Sequence, residues 1–284
     1  MHSRKTEIPL PTGYHVTVES RLASTDRVRV PILSELVPQG IRPGTIFVVE
    51  FDPNSQWLAV ATTIAARYLQ QMGRVGFVTF TRPPEDVKRD LTTLGVDVAM
   101  VGKENRLTVD DWYSATLTGG RLESAGGQGG MVEPIQGGLR ARTLKVSDLS
   151  VGYLKSQKEG WQPFDIAETW APGAVIISDC VSEMLRFNEE NAVMELFLTR
   201  VNPNERKAKR IFLAGLVRGV HTESFYKRFE SSADGVIEIR VMEREGEVKN
   251  QLRMTSLRGE PHDTHWHDIE LKPNGEVRLA GIRP

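Results

Sequence analysis

The feature that most constrains the fold is a repeated alternation of short apolar runs with helical segments, which begins at about Val30. The first example covers residues 44–70, "GTIFVVEFDPNSQWLAVATTIAARYLQ", and reads as an apolar run, a sharp polar turn and an apolar helix. Near-continuous apolar runs separated by helices are typical of parallel strands in a sheet that is covered on both faces. The sequence therefore predicts an α/β protein built on a mainly parallel sheet.

The individual elements are predicted from apolar periodicity and from the turn residues between them. Strands are predicted at residues 45–51, 75–80, 96–101, 107–113, 173–179 and 210–217, and helices at residues 56–71, 84–95 and 189–201. The final part of the chain differs, because apolar and polar residues alternate at 235–243 and 248–257, and an Asn-Gly turn follows at 274–275. Such alternation indicates antiparallel strands with one polar face, so antiparallel strands are predicted to complete the sheet.

Composition narrows the class of protein. The 284 residues are 39% hydrophobic and carry a formal net charge of −1, so no strong overall field attracts nucleic acid or an anionic membrane. No apolar run approaches the ~18 residues of a membrane span, and the opening residues lack the apolar segment of a signal peptide. The single cysteine, Cys180, cannot form an intrachain disulfide, which suits a reducing compartment. We expect a cytoplasmic protein.

An ordered set of segments carries a resemblance to a known family. These are "LSELVPQGIRPGT", "MGRVGFVTFTRPPEDVKRDLTTLGVDV", "DWYS", "AVIISDCV", "ESSADGVIEIRV" and "LRGEPHDTHWHDIEL". In this order they resemble the KaiC-like branch of the RecA-superfamily ATPases. The resemblance implies a RecA-like P-loop NTPase fold over residues 31–284, mainly parallel, flanked by helices and ending in antiparallel strands.

Two segments are predicted to lie outside that core. Residues 1–30 are polar and irregular and are expected to form an N-terminal arm. Residues 115–140 are rich in glycine and are expected to form a loop or an insertion. Phosphate binding is not predicted in this loop, because it lacks the GK[ST] ending and the strand-to-helix setting of a phosphate loop.

The phosphate loop of the family falls on a turn that departs from the family pattern. The family requires glycines there, so that successive N–H groups can face phosphate, but Pro53 and Ser55 lie near the glycine positions. The lysine position is Gln56 and the adjoining Ser/Thr position is Trp57. The resemblance therefore implies a vestigial nucleotide site, with no catalytic residue, made of Asp52, Pro53, Asn54, Ser55, Gln56, Trp57 and Asp179.

The chemistry of these substitutions opposes nucleotide binding. Proline has no N–H to donate, Glu50 and Asp52 place negative charge beside the expected phosphates, and Trp57 is bulky enough to fill part of their volume. One of Asp52, Asn54 and Ser55 is expected to cap the following helix instead. Asp179 stands at the family's metal-organising carboxylate and keeps that residue type. Two alternatives remain for it: a magnesium ligand, or a polar residue at a strand end that has lost this role.

Other motif positions are also substituted. Thr81-Arg82 stands where the family often has two glutamates that polarise the attacking water. Ser256-Leu257-Arg258-Gly259 stands at a "KMRG"-like motif and keeps only the arginine, so Arg258 is expected either to contact a neighbouring subunit or ligand, or to be a solvated strand residue. The resemblance thus implies a non-catalytic subunit with a structural or regulatory role, assembled with itself or with an active homologue, and no cofactor.

Two other functions remain open at this stage. An ATPase with an atypical site would use ATP and magnesium, with Asp179 and Arg258 as its support. A nucleic-acid-binding module would use the basic segments at residues 204–210 and 217–229, where aromatic and basic residues are interleaved as single-strand binding requires.

Two residue types are candidates for separate chemistry. His262, His265 and His267 could ligate a metal, but strand parity places His265 and His267 on the apolar side and favours packed histidines. Cys180 follows a strand aspartate and is expected to be buried and inert.

Overall fold

The fold is described from a computed structural model, and the described residues are 27–114, 141–143, 172–186, 188–244 and 246–281. The strands are β1 (Ile46–Phe51), β2 (Val75–Thr79), β3 (Leu107–Asp111), β4 (Ala141–Thr143), β5 (Val175–Ser178), β6 (Ile211–Val217), β7 (Gly235–Arg244), β8 (Glu247–Leu257), β9 (His267–Leu271) and β10 (Val277–Leu279). The α-helices are α1 (Leu33–Leu36), α2 (Trp57–Gln70), α3 (Pro84–Thr93), α4 (Val98–Lys103), α5 (Glu190–Leu196), α6 (Asn202–Lys207) and α7 (Glu223–Ser232), and a 3-10 helix spans Val181–Arg186.

The strands form one sheet in the order β10-β9-β8-β7-β1-β6-β5-β2-β3-β4. The strands from β7 to β4 are parallel to one another, and β8, β9 and β10 are added antiparallel. The predicted fold class, a mainly parallel sheet with antiparallel closing strands and flanking helices, is confirmed. Because β1 lies between β6 and β7, its carboxyl end meets those of the neighbouring parallel strands at one edge of the sheet.

Each face of the sheet carries its own apolar core. Phe47 and Val49 of β1 belong to a cluster with the buried residues of α2 and α3, whereas Ile46 and Val48 belong to a cluster with those of α5 and α7. Successive side chains of a strand point to opposite faces, so one strand of continuous apolar residues serves both cores. This explains the apolar runs that the sequence shows without alternation.

The predicted strand at residues 96–101 is wrong, because α4 occupies this segment. Asp97 caps the helix, and its side chain accepts a hydrogen bond of 2.9 Å from the main-chain N–H of Met100. Met100 is exposed while Val96 and Val101 are buried. The segment therefore buries only one side, whereas a central strand of the sheet would bury both. The next strand, β3, begins only at Leu107.

The predicted helix at residues 189–201 continues further than expected. After α5 the chain makes a π-helical turn over Phe197–Val201 and continues directly into α6. Pro203 lies in the first turn of α6, where its missing N–H is tolerated. The proline therefore marks an irregularity within a long helical segment and not its end.

Most of the predicted N-terminal arm, residues 1–26, and the predicted glycine-rich loop lie outside the described residues. Residues 27–30 pack on the domain: Val28 bridges to Ile41, and Val30 is buried. Where the structure describes the chain, none of its helices combines the length and apolarity needed to cross a membrane.

Candidate functional site

The turn after β1 is held from one side by the β7–β8 hairpin. The main-chain N–H of Asp52 donates to the oxygen of Ile239 at 2.9 Å, and its carboxylate accepts from the N–H of Val241 at 3.0 Å. The N–H of Gln56 donates to the side-chain oxygen of Asn250 at 3.0 Å. These amides of the turn are therefore used by protein acceptors, whereas a phosphate loop directs its amides toward an anion.

The expectation that Asp52, Asn54 or Ser55 caps α2 is wrong. The N-cap residue is Gln56, and no side chain of the turn makes a capping bond; Asn250, from β8, takes the Gln56 N–H instead. Asn54 has a φ of 66°, in the left-handed region that asparagine tolerates better than most residues. The Ser55 hydroxyl is buried without a hydrogen-bond partner among the described residues. The main-chain N–H of the N-cap residue is thus held by a distant strand of the hairpin.

Trp57, the first residue of α2, lies inside the protein. It is 1% exposed, its ring stacks on that of Phe51 with centroids 6.0 Å apart, and its indole Nε1 donates to the main-chain oxygen of Asp179 at 2.7 Å. The indole is thus both buried and hydrogen-bonded, as a buried tryptophan requires. Trp57 therefore joins the start of α2 to the end of β5.

Gly215, within β6, makes room for this contact. A Cβ at that position would lie 2.3 Å from the oxygen of Asp179 and 2.7 Å from Nε1 of Trp57. The sequence analysis did not identify Gly215, although glycine inside an apolar strand is a signal of close approach by another group. Trp57 and Gly215 therefore belong to one packing arrangement.

The carboxylate of Asp179 is fully buried and faces the end of β2. It accepts hydrogen bonds from the N–H of Phe80 at 2.8 Å, from the N–H and hydroxyl of Thr81 at 3.2 and 2.8 Å, and from the Thr79 hydroxyl at 3.2 Å. Burial raises the pKa of Asp179, and the bonds from Phe80 and Thr81 oppose this rise. These contacts satisfy the carboxylate internally and fasten the carboxyl ends of β2 and β5 together.

Glu50, the residue before Phe51 in β1, places a second acid at the same edge. It is 7% exposed, and its Oε1 has no hydrogen-bond partner among the described residues. Its partner across the parallel β1–β7 pair is Glu238. Burial, together with the nearby Glu230, raises the pKa of Glu50 to about 7, while Arg218 opposes the rise. A polyanion would be repelled wherever this group is ionised.

Arg82 follows β2 and was predicted from the resemblance to stand at the position of the family's water-polarising carboxylates. Its Nη2 donates to the Thr62 hydroxyl on α2 at 2.8 Å, and its Nη1 bonds to the carboxylate of Asp90 on α3. The guanidinium also lies over the ring of Phe77, 5.7 Å from the centroid. This position therefore holds a cation that joins two helices, and neither Thr81 nor Arg82 can accept a proton from water.

Arg258, the residue after β8, is exposed. Its N–H donates to the oxygen of Asp234 at 2.8 Å, and its guanidinium bonds to the oxygen of Ser231. The structure thus places Arg258 on the surface, where it is bonded to its own chain.

The three candidate histidines do not form a metal site. Asp263 bonds to Nδ1 of His265 at 2.7 Å and to Nε2 of His267 at 3.1 Å, and His262 bonds through Nδ1 to the oxygen of Glu260 at 2.9 Å. Within the described ranges, no group of three or more His, Cys, Asp or Glu residues could hold a metal ion. The expected apolar packing is wrong for His265, whose side chain is 85% exposed in a turn before β9, whereas the His267 side chain is 11% exposed.

The basic segments proposed for nucleic acid contain several residues that are paired with acids or amides. Arg206 bonds to Asp234 at 2.9 Å and Arg210 to the buried Glu205 at 2.7 Å. In the second segment, Lys227 contacts Glu230 at 3.1 Å. Such pairing reduces the charge available to phosphates.

Cys180 is buried, as expected. Burial, aided by the neighbouring Asp179, raises the pKa of its thiol to about 12. The thiol is therefore protonated at neutral pH and unreactive.

Comparison with solved structures identifies the fold. The structure of the KaiC-like protein PH0186 from Pyrococcus horikoshii matches with a TM-score of 0.60 and 17% identity, over 89% of this chain and 98% of that one. The uncharacterized protein PH0321 from Pyrococcus horikoshii, in complex with an unknown peptide, matches with a TM-score of 0.58 and 19% identity, over 86% and 95%. No family model and no curated protein matches the sequence. The resemblance to KaiC-like proteins is confirmed at the level of the fold.

Proposed function

We propose that this protein, which has the KaiC-like RecA fold, is a non-catalytic subunit with a structural or regulatory role and does not turn over nucleotide. The observation that carries the proposal is the position of Trp57, whose buried indole donates to the oxygen of Asp179 at 2.7 Å. The side chain at the magnesium-ligand position is thereby committed to the interior of the domain. A fold alone does not fix function, so the proposal depends on these residues.

Three further contacts support the loss of the phosphate cradle. The N–H groups of Asp52 and Gln56 are bonded to Ile239 and Asn250, Pro53 offers no N–H, and Glu50 and Asp52 are acidic. A triphosphate would have to break the contacts of the turn with the hairpin and also approach these carboxylates. No lysine offsets the cost of either step, because Gln56 occupies the position of the family's lysine.

The substitutions at Thr81 and Arg82 support the loss of chemistry independently of binding. Removing one group that stabilises a transition state costs about 3–4 kcal/mol in comparable sites. The cradle, the cation, the magnesium ligand and the water-activating carboxylates are all replaced here. Hydrolysis would therefore be abolished even if a nucleotide entered.

For the assembly, we propose a homo-oligomer or a complex with an active homologue, in the cytoplasm. RecA-like domains commonly associate side by side, which is an argument from analogy. Arg258 is the residue that the family motif associates with a neighbouring subunit, and its exposed position permits such a contact. The two alternative functions receive less support, because basic residues of the proposed nucleic-acid segments are paired and Asp179 is closed off from solvent.

The test is calorimetric titration of the protein with Mg-ATP, combined with an assay of phosphate release and with light scattering. We expect no heat of binding, no phosphate release, and a mass above that of a monomer. Binding with micromolar affinity together with phosphate release would establish an atypical ATPase and overturn the proposal. Retention of single-stranded DNA that weakens steeply with salt would favour the nucleic-acid module, and a strict monomer would overturn the proposed self-assembly.

A further inference from the structure

A cleft lies between α2, α3 and the β9–β10 hairpin. Its volume is about 310 Å³, within the range of small-molecule sites. Gln56 and Arg82, the residues at the family's lysine and water-polarising positions, both line it. The two substitutions thus alter one surface, on the side of α2 that faces α3 and the hairpin.

The polar part of the cleft carries a cation and an anion side by side. Arg82 bonds to Asp90 and to the Thr62 hydroxyl, and these three residues line the cleft. A guanidinium has five N–H donors, and the bonds to Asp90 and Thr62 use one N–H on each terminal nitrogen of Arg82, so each of these nitrogens keeps a second N–H. Asp90 is more open, since its side chain is 37% exposed. The pair can therefore present donors and acceptors to a ligand together.

The remaining wall is apolar. It is formed by Leu58 and Ala59 of α2, Leu94 after α3, and Leu271 at the end of β9. Leu271 is 50% exposed, so a ligand in the cleft would remove a large apolar surface from water. The amide side chains of Gln56 and Asn274 also line the cleft.

We propose that this cleft binds a free α-amino acid with an apolar side chain. The carboxylate of the ligand pairs with the guanidinium of Arg82, its ammonium pairs with Asp90, and its side chain packs on the wall that contains Leu271. Charge disfavours the simpler alternatives relative to a zwitterion: Asp90 opposes a phosphate or a dicarboxylate, and Arg82 opposes an amine without a carboxylate. Planar two-point pairing of arginine with a carboxylate supplies both strength and orientation.

Binding of an amino acid in this cleft requires neither nucleotide turnover nor assembly. The proposed ligand carries an ammonium and a carboxylate on the same carbon, beside an apolar group. Either end of a peptide chain carries only one of these two charges. A blocked amino acid has the same side chain without either charge, so it separates recognition of the charges from simple apolar burial.

The experiment is calorimetric titration of the full chain with L-leucine and L-phenylalanine, compared with N-acetyl-L-leucine amide and with L-glutamate. We expect saturable binding of at least one of the first two at concentrations up to ~10 mM, and none of the blocked or acidic compounds. Arg82→Gln should weaken binding at least about tenfold, and Arg186→Gln, which removes an exposed arginine on the opposite face of the sheet, should leave it unchanged.

Because Arg82 also joins two helices, its variant could lose stability, and a second variant avoids this. Leu271→Ser alters a half-exposed side chain and should weaken binding of leucine severalfold, whereas Val248→Ser, an exposed residue at the hairpin tip, should not. No saturable binding of leucine or phenylalanine to the wild-type protein would overturn the proposal. Equal binding by Leu271→Ser, or equal binding of the blocked compound, would overturn it as well.

Discussion

The indole of Trp57 and the main-chain oxygen of Asp179, which are 122 positions apart in the chain, are joined by a buried hydrogen bond of 2.7 Å. This contact links the start of α2 to the end of β5 at the carboxyl edge of the parallel strands. It makes the space beside the turn after β1 part of the protein core.

Trp57→Phe should therefore destabilise the protein without creating a nucleotide site. The phenyl ring retains much of the apolar contact but leaves the oxygen of Asp179 buried and unpaired, which costs about 1–3 kcal/mol. Urea denaturation measures the change in the free energy of unfolding. Trp266→Phe is a useful comparison, because Trp266 lies on the sheet surface between two arginines. A Trp57→Phe protein as stable as the wild type would show that the bond contributes nothing.

Gly215→Ala should be more damaging than an alanine at an open glycine. The new Cβ would lie 2.3 Å from the main-chain oxygen of Asp179, so β5 or β6 must shift, at a cost of about 1–3 kcal/mol or more. Gly259 has a φ of 65°, and a Cβ added there would have no heavy atom within 4 Å, so Gly259→Ala adds only backbone strain of about 1–2 kcal/mol. Thermal unfolding of the two variants compares them, and equal losses would argue against the tight contact at Gly215.

Asn250→Ala should loosen the start of α2. The variant removes the acceptor of the Gln56 N–H, and loss of one intramolecular hydrogen bond costs about 1 kcal/mol. Hydrogen exchange of the Gln56 amide should become faster, while exchange in α7, on the other face of the sheet, should not change. Unchanged protection at Gln56 would contradict the assigned role of Asn250.

Glu50 should make stability fall as pH rises. Its pKa is about 7 in the folded protein against an ordinary value of 4.5, so the folded state binds more protons between these values. The stabilisation is complete below pH 4.5 and is lost as pH rises through about 7. The loss is at most about 3 kcal/mol, and it arises from burial beside Glu230 and Glu238.

Glu50→Gln keeps the neutral form at every pH and should flatten this part of the profile, with the variant more stable than the wild type at about pH 8. Chemical denaturation at several pH values from about 4.5 to about 8 measures the slope. Glu247→Gln, at the exposed start of β8, should leave the wild-type slope unchanged. A wild-type slope that persists in Glu50→Gln would assign the pH dependence to another group.

The sequence predicted those parts of the fold that depend on local patterns. The apolar run before Asp52 and the periodicity after it defined β1 and α2, and the Asn-Gly pair at 274–275 lies in the turn between β9 and β10. The segment at 96–101 was misread because a short apolar run does not distinguish a strand from a helix. The N-cap role of Asp97 was the local signal that favoured the helix.

The details of the site depended on contacts that sequence patterns do not reveal. The resemblance drew attention to Trp57 and Asp179, but sequence patterns did not reveal the bond between them. The bond between Asn250 and the Gln56 N–H was unpredictable, since the two residues are 194 positions apart. His265 was placed on the apolar side by strand parity, which does not apply because β9 begins only at His267.

The most direct test is a crystal structure of the protein determined after soaking with magnesium and a non-hydrolysable ATP analogue. We predict that Trp57 keeps its bond to Asp179 and that no phosphate is found between β1 and α2. Phosphates seated against the main chain of residues 53–57, with the indole displaced, would contradict the account.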